Sequence, residues 1–430
     1  MTMENVHQHE NGRRKPVRVY MDGCFDMMHF GHANALRQAK SLGDVLVVGI
    51  CPDDEIRRNK GPPVMNNDER LAAVESVKWV DEIITNVPYD VTADFLKTLI
   101  EDHGVDFIVH GDDPCLGPDG RDVYAAVKEQ KKFRTVKRTE GVSSTDILDR
   151  IMRCDGDLVT KPAKMMNGEN GMNEMNGTNG TNGLKGSNGT NGTNGTNGTN
   201  GTNGTNGTTG AKKMNGTNGI NGTNGMNHNS PFHRPSTFLP TTRRLLEFVG
   251  NSNVAKANGI NGVVYVDGAF DMFHAGHIAA LREAQRLGGF VLVGIHDDIT
   301  VNSYKGGNFP IMNLHERVLS VLSSKYVNEV IIGAPLVISE DMIKTMNISM
   351  VVHGVHQDKR LKPVDPTEPD PYKVPKQLGI FQEIDSKSEL SVHDIVRRIT
   401  QKRDQYEKRN EKKVAQEQVY LQNKEYVEEL

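Results

Sequence analysis

The chain has little of what marks several protein classes. Its 430 residues hold four cysteines, Cys24, Cys51, Cys115 and Cys154, scattered with no C-x-x-C pair. That excludes a disulfide scaffold and suits a reducing compartment. Lysine plus arginine (51) and aspartate plus glutamate (55) nearly cancel, leaving a formal net charge of −4. Such a balance gives no electrostatic footprint for nucleic acid, although a local basic cleft stays compatible with it. No apolar run approaches the length that spans a bilayer. Residues 1–16 carry no apolar core of a secretory signal, so a cytoplasmic protein with no integral membrane segment is expected.

Hydrophobic content is only 36%, and one stretch accounts for it. Residues 165–228 are almost entirely Asn, Gly and Thr. With nothing to bury, such a stretch cannot offset its backbone entropy, so a flexible linker over 156–230 is expected. Its Asn-Gly-Thr repeats match the glycosylation sequon but, without a secretory route, stay unmodified. The flanks divide into a domain at 16–155, a helical connector at 231–260, a second domain at 261–400 and a charged helical tail at 401–430. The tail has a thin apolar face and mixed charge, which favours solvation or domain packing over a peripheral membrane contact.

What is present is a constellation carried twice. Residues 22–32 read Asp-Gly-Cys-Phe-Asp-Met-Met-His-Phe-Gly-His, and residues 267–277 read Asp-Gly-Ala-Phe-Asp-Met-Phe-His-Ala-Gly-His. Lys60 and Lys305 keep the same separation from the two copies. Val17–Met21 reads as a strand, the segment from Ala33 to Lys40 as a helix, and Val45–Ile50 as a strand buried on both faces. A helix starts at Asn67-Asp68-Glu69-Arg70, with Asn67 or Asp68 as cap. Strands follow near 82–84 and 107–109. The second half repeats this order from Gly262 onward. Alternating strand and helix predicts an α/β fold, a parallel sheet flanked by helices in each half.

A strand ending in Asp-Gly and turning into a helix at His-x-Gly-His gathers backbone N–H groups and a helix N-terminus at one point, which favours phosphate. Gly31 permits close backbone approach. Two histidines three apart suit hydrogen bonding and partial positive charge on a phosphoryl group in transfer. A metal pair is disfavoured, since no further ligands stand at suitable spacing. Residues 138–145 read Arg-Thr-Glu-Gly-Val-Ser-Ser-Thr before an apolar helical run, a second phosphate-binding helix start with a bidentate arginine.

On these residues the chain resembles the cytidylyltransferases of the HxGH nucleotidyltransferase superfamily, and among them the two-domain kind that acts on phosphoethanolamine. The resemblance implies two Rossmann-like nucleotidyltransferase domains. It implies transfer of the cytidylyl group of CTP, with Mg²⁺ on the triphosphate, to give CDP-ethanolamine and pyrophosphate, a step of phosphatidylethanolamine synthesis. His29, His32, Lys60 and Arg138 then serve catalysis. Gly23, Cys24, Phe25, His110, Asp112, Thr139, Gly141, Val142, Ser143, Ser144 and Thr145 bind nucleotide. Asp22, Tyr89 and Tyr124 are nominated for the amine of the acceptor, which needs a carboxylate or an aromatic face. In the second half, Ala269, Phe270, His274, His277, Lys305, His353, Gly354, Ser386, Lys387, Ser388, Glu389 and Leu390 are expected at a nucleotide site. There Ser386 stands in place of Arg138, so binding without turnover is expected. Phosphocholine as acceptor is the alternative, although that relative resembles only the first half. A class I aminoacyl-tRNA synthetase would need a Lys-Met-Ser-Lys-Ser-like loop, which the chain lacks.

Overall fold

The computed structural model describes residues 14–117, 120–153, 241–249, 262–355, 370–423 and 427–430. The Asn-Gly-Thr linker, Cys154 and most of the connector lie outside these residues.

Each half is a five-stranded, all-parallel sheet flanked by helices. In the first, β1 (Arg18–Gly23) sits centrally, with β2 (Val45–Ile50) and β3 (Glu82–Thr85) on one side and β4 (Phe107–Gly111) and β5 (Phe133–Val136) on the other. In the second, β6 (Val263–Gly268) is flanked by β7 (Phe290–Ile295) and β8 (Glu329–Ile332), and by β9 (Ile348–Gly354) and β10 (Phe381–Ile384). Strand order reverses at β1 and at β6. In open parallel sheets the crevice beyond the strand ends at such a switch point takes the ligand. Both His-x-Gly-His turns stand there. The fifth strands, β5 and β10, carry too little apolar patterning to be read from sequence.

Helix α1 (Phe30–Ser41) follows β1, α2 (Asp53–Asn59) follows β2, and α3 (Asn67–Glu75) follows the Lys60 loop. The cap of α3 is Asn66, one residue earlier than expected, because its side chain accepts from the Glu69 N–H while Glu69 reaches back to the Asn66 N–H. Helices α4 (Ala93–Glu101), α5 (Ala125–Glu129) and α6 (Ser144–Arg153) complete the half. Of the connector, the structure describes α7 (Thr241–Val249), whose buried Phe248 meets Trp79 edge-on at 5.1 Å. The second half has α8 (Ala275–Leu287), α9 (Asp298–Lys305), α10 (Leu314–Leu322), α11 (Glu340–Thr345), α12 (Lys373–Gln377) and α13 (Val392–Gln401). The tail is α14 (Arg403–Asn423), which packs against α6.

The halves meet about a pseudo-twofold axis. The Lys78 N–H donates to Ser323 O (2.9 Å), and the Lys325 N–H donates to Ser76 O (2.7 Å). Arg150 grips Glu316 with two hydrogen bonds (2.6 and 2.7 Å) while Arg398 grips Glu69 with two (2.7 and 2.8 Å). Each partner is the other's counterpart in the duplication. Between them one apolar cluster joins the halves, with Met27, Met65, Ile147 and Ile151 from the first and Met272, Met312, Leu319 and Ile395 from the second. The duplicated domains thus pack as the subunits of an isologous dimer would.

Candidate active site

In each half the turn after the central strand is strained in the same way. Phe25 and Met27 have φ of 49° and 48°, and Phe270 and Met272 have 49° and 52°, a region non-glycine residues seldom adopt. Buried contacts hold it. The Asp26 carboxylate accepts from the Val64 and Met65 N–H groups, as Asp271 does from Ile311 and Met312. Arg70, fully buried, donates to the carbonyls of Cys24 and Cys51 and pairs with Asp53 at 2.6 Å. Arg317 does the same with Ala269, His296 and Asp298. These Glu-Arg arginines are braces of the site loops.

His29 is the N-cap of α1. Its Nδ1 accepts from the Gly31 N–H (3.1 Å), and its own N–H donates to Nδ1 of His32 (3.3 Å). Both Nδ1 atoms being acceptors, the proton of each neutral ring belongs on Nε2. The rings lie 4.0 Å apart. Burial, the neighbouring histidine and nearby Arg138 hold His29 well below the usual range, and burial with Lys60 brings His32 down to about 4. Without a ligand at neutral pH the pair therefore offers two N–H donors. Gly31 has a structural reason of its own, since a Cβ there would stand 2.9 Å from the His29 ring and 3.0 Å from Val142.

Lys60 follows the end of α2 and lies over the Tyr89 ring at 5.5 Å. The Cys24 sulfur beside it raises its pKa, against burial. Cys24 is itself pulled down by the neighbouring Cys51 side chain and by Lys60, against burial. Arg138 sits after β5, its N–H bound to Asp112 (2.8 Å) and its guanidinium on Glu417 (2.5 Å), with Asp113 at 4.0 Å. His29, His32, Lys60 and Arg138 thus converge on one cradle, close enough to shift one another's protonation.

The Arg138–Thr145 segment follows, with a left-handed turn at Gly141 (φ 83°). Its hydroxyls brace the cradle. Thr139 accepts from Asn34 (3.0 Å), Ser143 caps α6 through the Asp146 N–H (3.0 Å), and Ser144 donates to Asp26 O (3.0 Å). Thr139 and Ser143 keep their own O–H as donors. Asp22 and Tyr124, both buried, are bound to each other at 2.6 Å, and the His110 ring lies 4.9 Å from the Tyr124 ring.

The second half keeps the turn. His274 accepts from the Gly276 N–H (3.1 Å), and His277, likewise lowered by burial and by His274, accepts from the His274 N–H (3.3 Å). Lys305 lies over Phe309 at 5.6 Å. The segment Asp385–Leu390 lies against the second turn, where a Cβ on Gly276 would stand 2.7 Å from the Leu390 carbonyl, but it brings no guanidinium. The Ser388 N–H donates to Ser386 Oγ (3.4 Å), while exposed Lys387 pairs with Asp385 (2.7 Å). The carboxylate matching Asp22 is crowded too. Asp267 accepts from Tyr372 (2.8 Å), which also bonds His353 (2.8 Å), and buried His296 stands 3.5 Å from it, where the first half has Cys51.

The charged tail helix expected from sequence is α14, but its place at the site was not foreseen. Arg409 donates to Asp26 and to Pro62 O, both at 2.8 Å, Lys413 stands 4.0 Å from Asp113, and Glu417 holds Arg138. The contact surface of this helix is polar and recurs at three- and four-residue steps, so no apolar stripe announced it.

No helix among the described residues is long and apolar enough to cross a membrane. Nor do they contain a group of three or more His, Cys, Asp or Glu side chains that could hold a metal ion. The cytidylyltransferase-like family profile matches residues 20–150 and 265–398. A collagen-repeat profile matches residues 166–229 through their regular glycines, although that segment holds no proline. An ethanolamine-phosphate cytidylyltransferase of Arabidopsis thaliana is 45% identical over 96% of this chain and 87% of its own length. One from Dictyostelium discoideum is 44% identical over 94% and 96%. Choline-phosphate cytidylyltransferase A of Homo sapiens is 45% identical over only 32% of this chain and 37% of its own. The chain belongs to the cytidylyltransferase-like family, among the two-domain ethanolamine-phosphate cytidylyltransferases.

Proposed function

We propose that the chain transfers the cytidylyl group of CTP to phosphoethanolamine in its first half, and that its second half holds nucleotide without turning it over. The observation that carries the reading is the convergence of His29, His32, Lys60 and Arg138, with the Thr139–Thr145 turn, on the switch point of the first sheet alone. A phosphate oxygen of phosphoethanolamine attacks the α-phosphorus of CTP. A new P–O bond forms, the α–β bridge breaks, and pyrophosphate leaves with the electron pair. Such a transfer needs positioning and charge stabilisation and no covalent enzyme intermediate.

The Nε2–H groups of His29 and His32 donate to the phosphates, and Lys60 and Arg138 take the charge that moves toward the leaving group. Gly23, Cys24 and Phe25 line the nucleotide, with His110 and Asp112 at its base and ribose end. The acceptor's ammonium goes to the Asp22–Tyr124 pair and the Tyr89 ring. Bound with the triphosphate, Mg²⁺ would neutralise phosphate charge. In the second half Ala269, Phe270, His274, His277, Lys305, His353 and Gly354 surround the nucleotide, while Ser386–Leu390 supply no guanidinium. The reading places the protein in the cytoplasm.

A panel of phosphoethanolamine, phosphocholine and glycerol 3-phosphate against CTP and ATP tests this. CDP-ethanolamine from the first pairing, well above every other product, is expected. Preferred use of phosphocholine or of ATP overturns it.

A further inference from the structure

The α14 helix lays one face along the first-half cradle. Tyr406, Arg409, Asn410, Lys413, Glu417 and Tyr420 recur at three- and four-residue steps, which puts them on one side. The stripe starts at the Lys60 loop, where the Tyr406 hydroxyl donates to Pro63 O (3.1 Å) and Arg409 to Pro62 O (2.8 Å). Asn410 donates to Thr145 O at 3.4 Å, and Glu417 reaches Arg138 at 2.5 Å. The helix therefore spans the cradle from its lysine to its arginine.

Lys413 lies between these ends. Its ammonium is 4.0 Å from Asp113, whose carboxylate is also 4.0 Å from Arg138, so one anion is shared by two cations. Lys60 is the third cation of the group. Burial, Lys60 and Arg138 all lower the Lys413 pKa, with Asp113 and Cys115 opposing them. A cluster of like charges at a half-buried site is relieved by a polyanion, and a nucleoside triphosphate is one. Glu417 meanwhile puts a carboxylate on the guanidinium that the proposed reaction assigns to phosphate oxygens. Arg138 has donors enough to keep it while also meeting a second anion.

We propose that α14 completes the first-half active site, with Lys413 contacting the phosphates of CTP and Arg409 acting as a positioning residue for the Lys60 loop. This rests on the reading of the first half as the CTP site.

The test uses the full chain and the variants Lys413→Met and Lys413→Arg. Lys413→Met is expected to raise KM for CTP and weaken equilibrium CTP binding by roughly tenfold to a hundredfold, as losing a charged hydrogen bond does. The KM for phosphoethanolamine and the unfolding midpoint stay near wild type, and Lys413→Arg recovers most of the loss. Wild-type KM and CTP affinity in Lys413→Met overturn the inference. So does a kcat/KM above wild type, which would make the helix an inhibitory strap. Failure of the wild-type chain to make CDP-ethanolamine sinks the underlying reading instead, and CTP affinity still reports on Lys413 without turnover.

Discussion

The two halves differ less in their turns than in what stands around them. His29 with His32 and His274 with His277 make the same capping pair, on the same strained turn, braced by the same buried arginine. The first half then adds the Arg138 guanidinium and the cations of α14. The second replaces Cys51 with His296 against Asp267 and closes Asp385–Ser388 on itself. On the reading proposed above, the turn kept in both halves holds phosphate, and the guanidinium lost from the second is the one that meets the leaving pyrophosphate. Duplication would then have kept a nucleotide cradle twice and the full reaction site once.

The sharpest way to break this comparison is to remove matched residues. Arg138→Ala is expected to lower kcat/KM by roughly a hundredfold to a thousandfold, the scale of deleting one preorganised donor to a transition state. Ser386→Ala, at the matching place, should leave it within about twofold. His32→Ala should abolish turnover, whereas His277→Ala should change it little. Steady-state kinetics on the four variants, with unfolding midpoints as control, check this. Equal losses from His32→Ala and His277→Ala would make both halves catalysts.

The interface sharpens the comparison through stability. The Arg150–Glu316 pair is deeper than its counterpart, with side-chain exposures of 13% and 2%, against 35% and 12% for Arg398 and Glu69. Removing one partner of a buried pair strands the other charge, at a cost of about 3–5 kcal/mol, while a more exposed pair is worth about 1 kcal/mol or less. Arg150→Ala should therefore lower the unfolding midpoint well beyond Arg398→Ala. Equal shifts in a thermal melt would show that the twofold likeness extends to energy.

Much of this was legible beforehand. The duplicated Asp-Gly-x-Phe-Asp-x-x-His-x-Gly-His located both turns, because strand, turn and helix cap each leave a mark within a few residues. Four of the five strands of each half were visible as apolar runs. The fifth was not, since Phe133–Val136 and Phe381–Ile384 put two polar residues between their apolar ends. The roles of Arg70 and Arg317 were hidden because burial of an arginine is decided by distant carbonyls. The protonation state of the histidine pair followed from burial and from Lys60, neither of which spacing reports. The tail was least legible, as its docking face is built of charge matched to residues some 280 positions away (Arg138 and Glu417 are 279 apart).

The smallest expected effect concerns pH, and it tests whether the second turn is built like the first. A histidine whose folded pKa lies below its unfolded value binds fewer protons when folded. The unfolded chain then gains protons first as pH falls, so stability is lost on going down through 6.5 and continues falling until the folded value is reached. For His32 that window runs from 6.5 to about 4, and His277 is lowered in the same direction. The loss by pH 6 is at most about 1 kcal/mol for His32, since partial exposure reduces it. Protonation would also place a proton on the Nδ1 that caps the helix, so the cap and the titration are one event. Imidazole resonances followed by NMR between pH 7 and 5 should show His29, His32 and His277 neutral throughout most of that range. An ordinary titration near 6.5 at His277 but not at His32 would mean that the second half keeps the motif and not the buried cap, and its standing as a phosphate cradle would go with it.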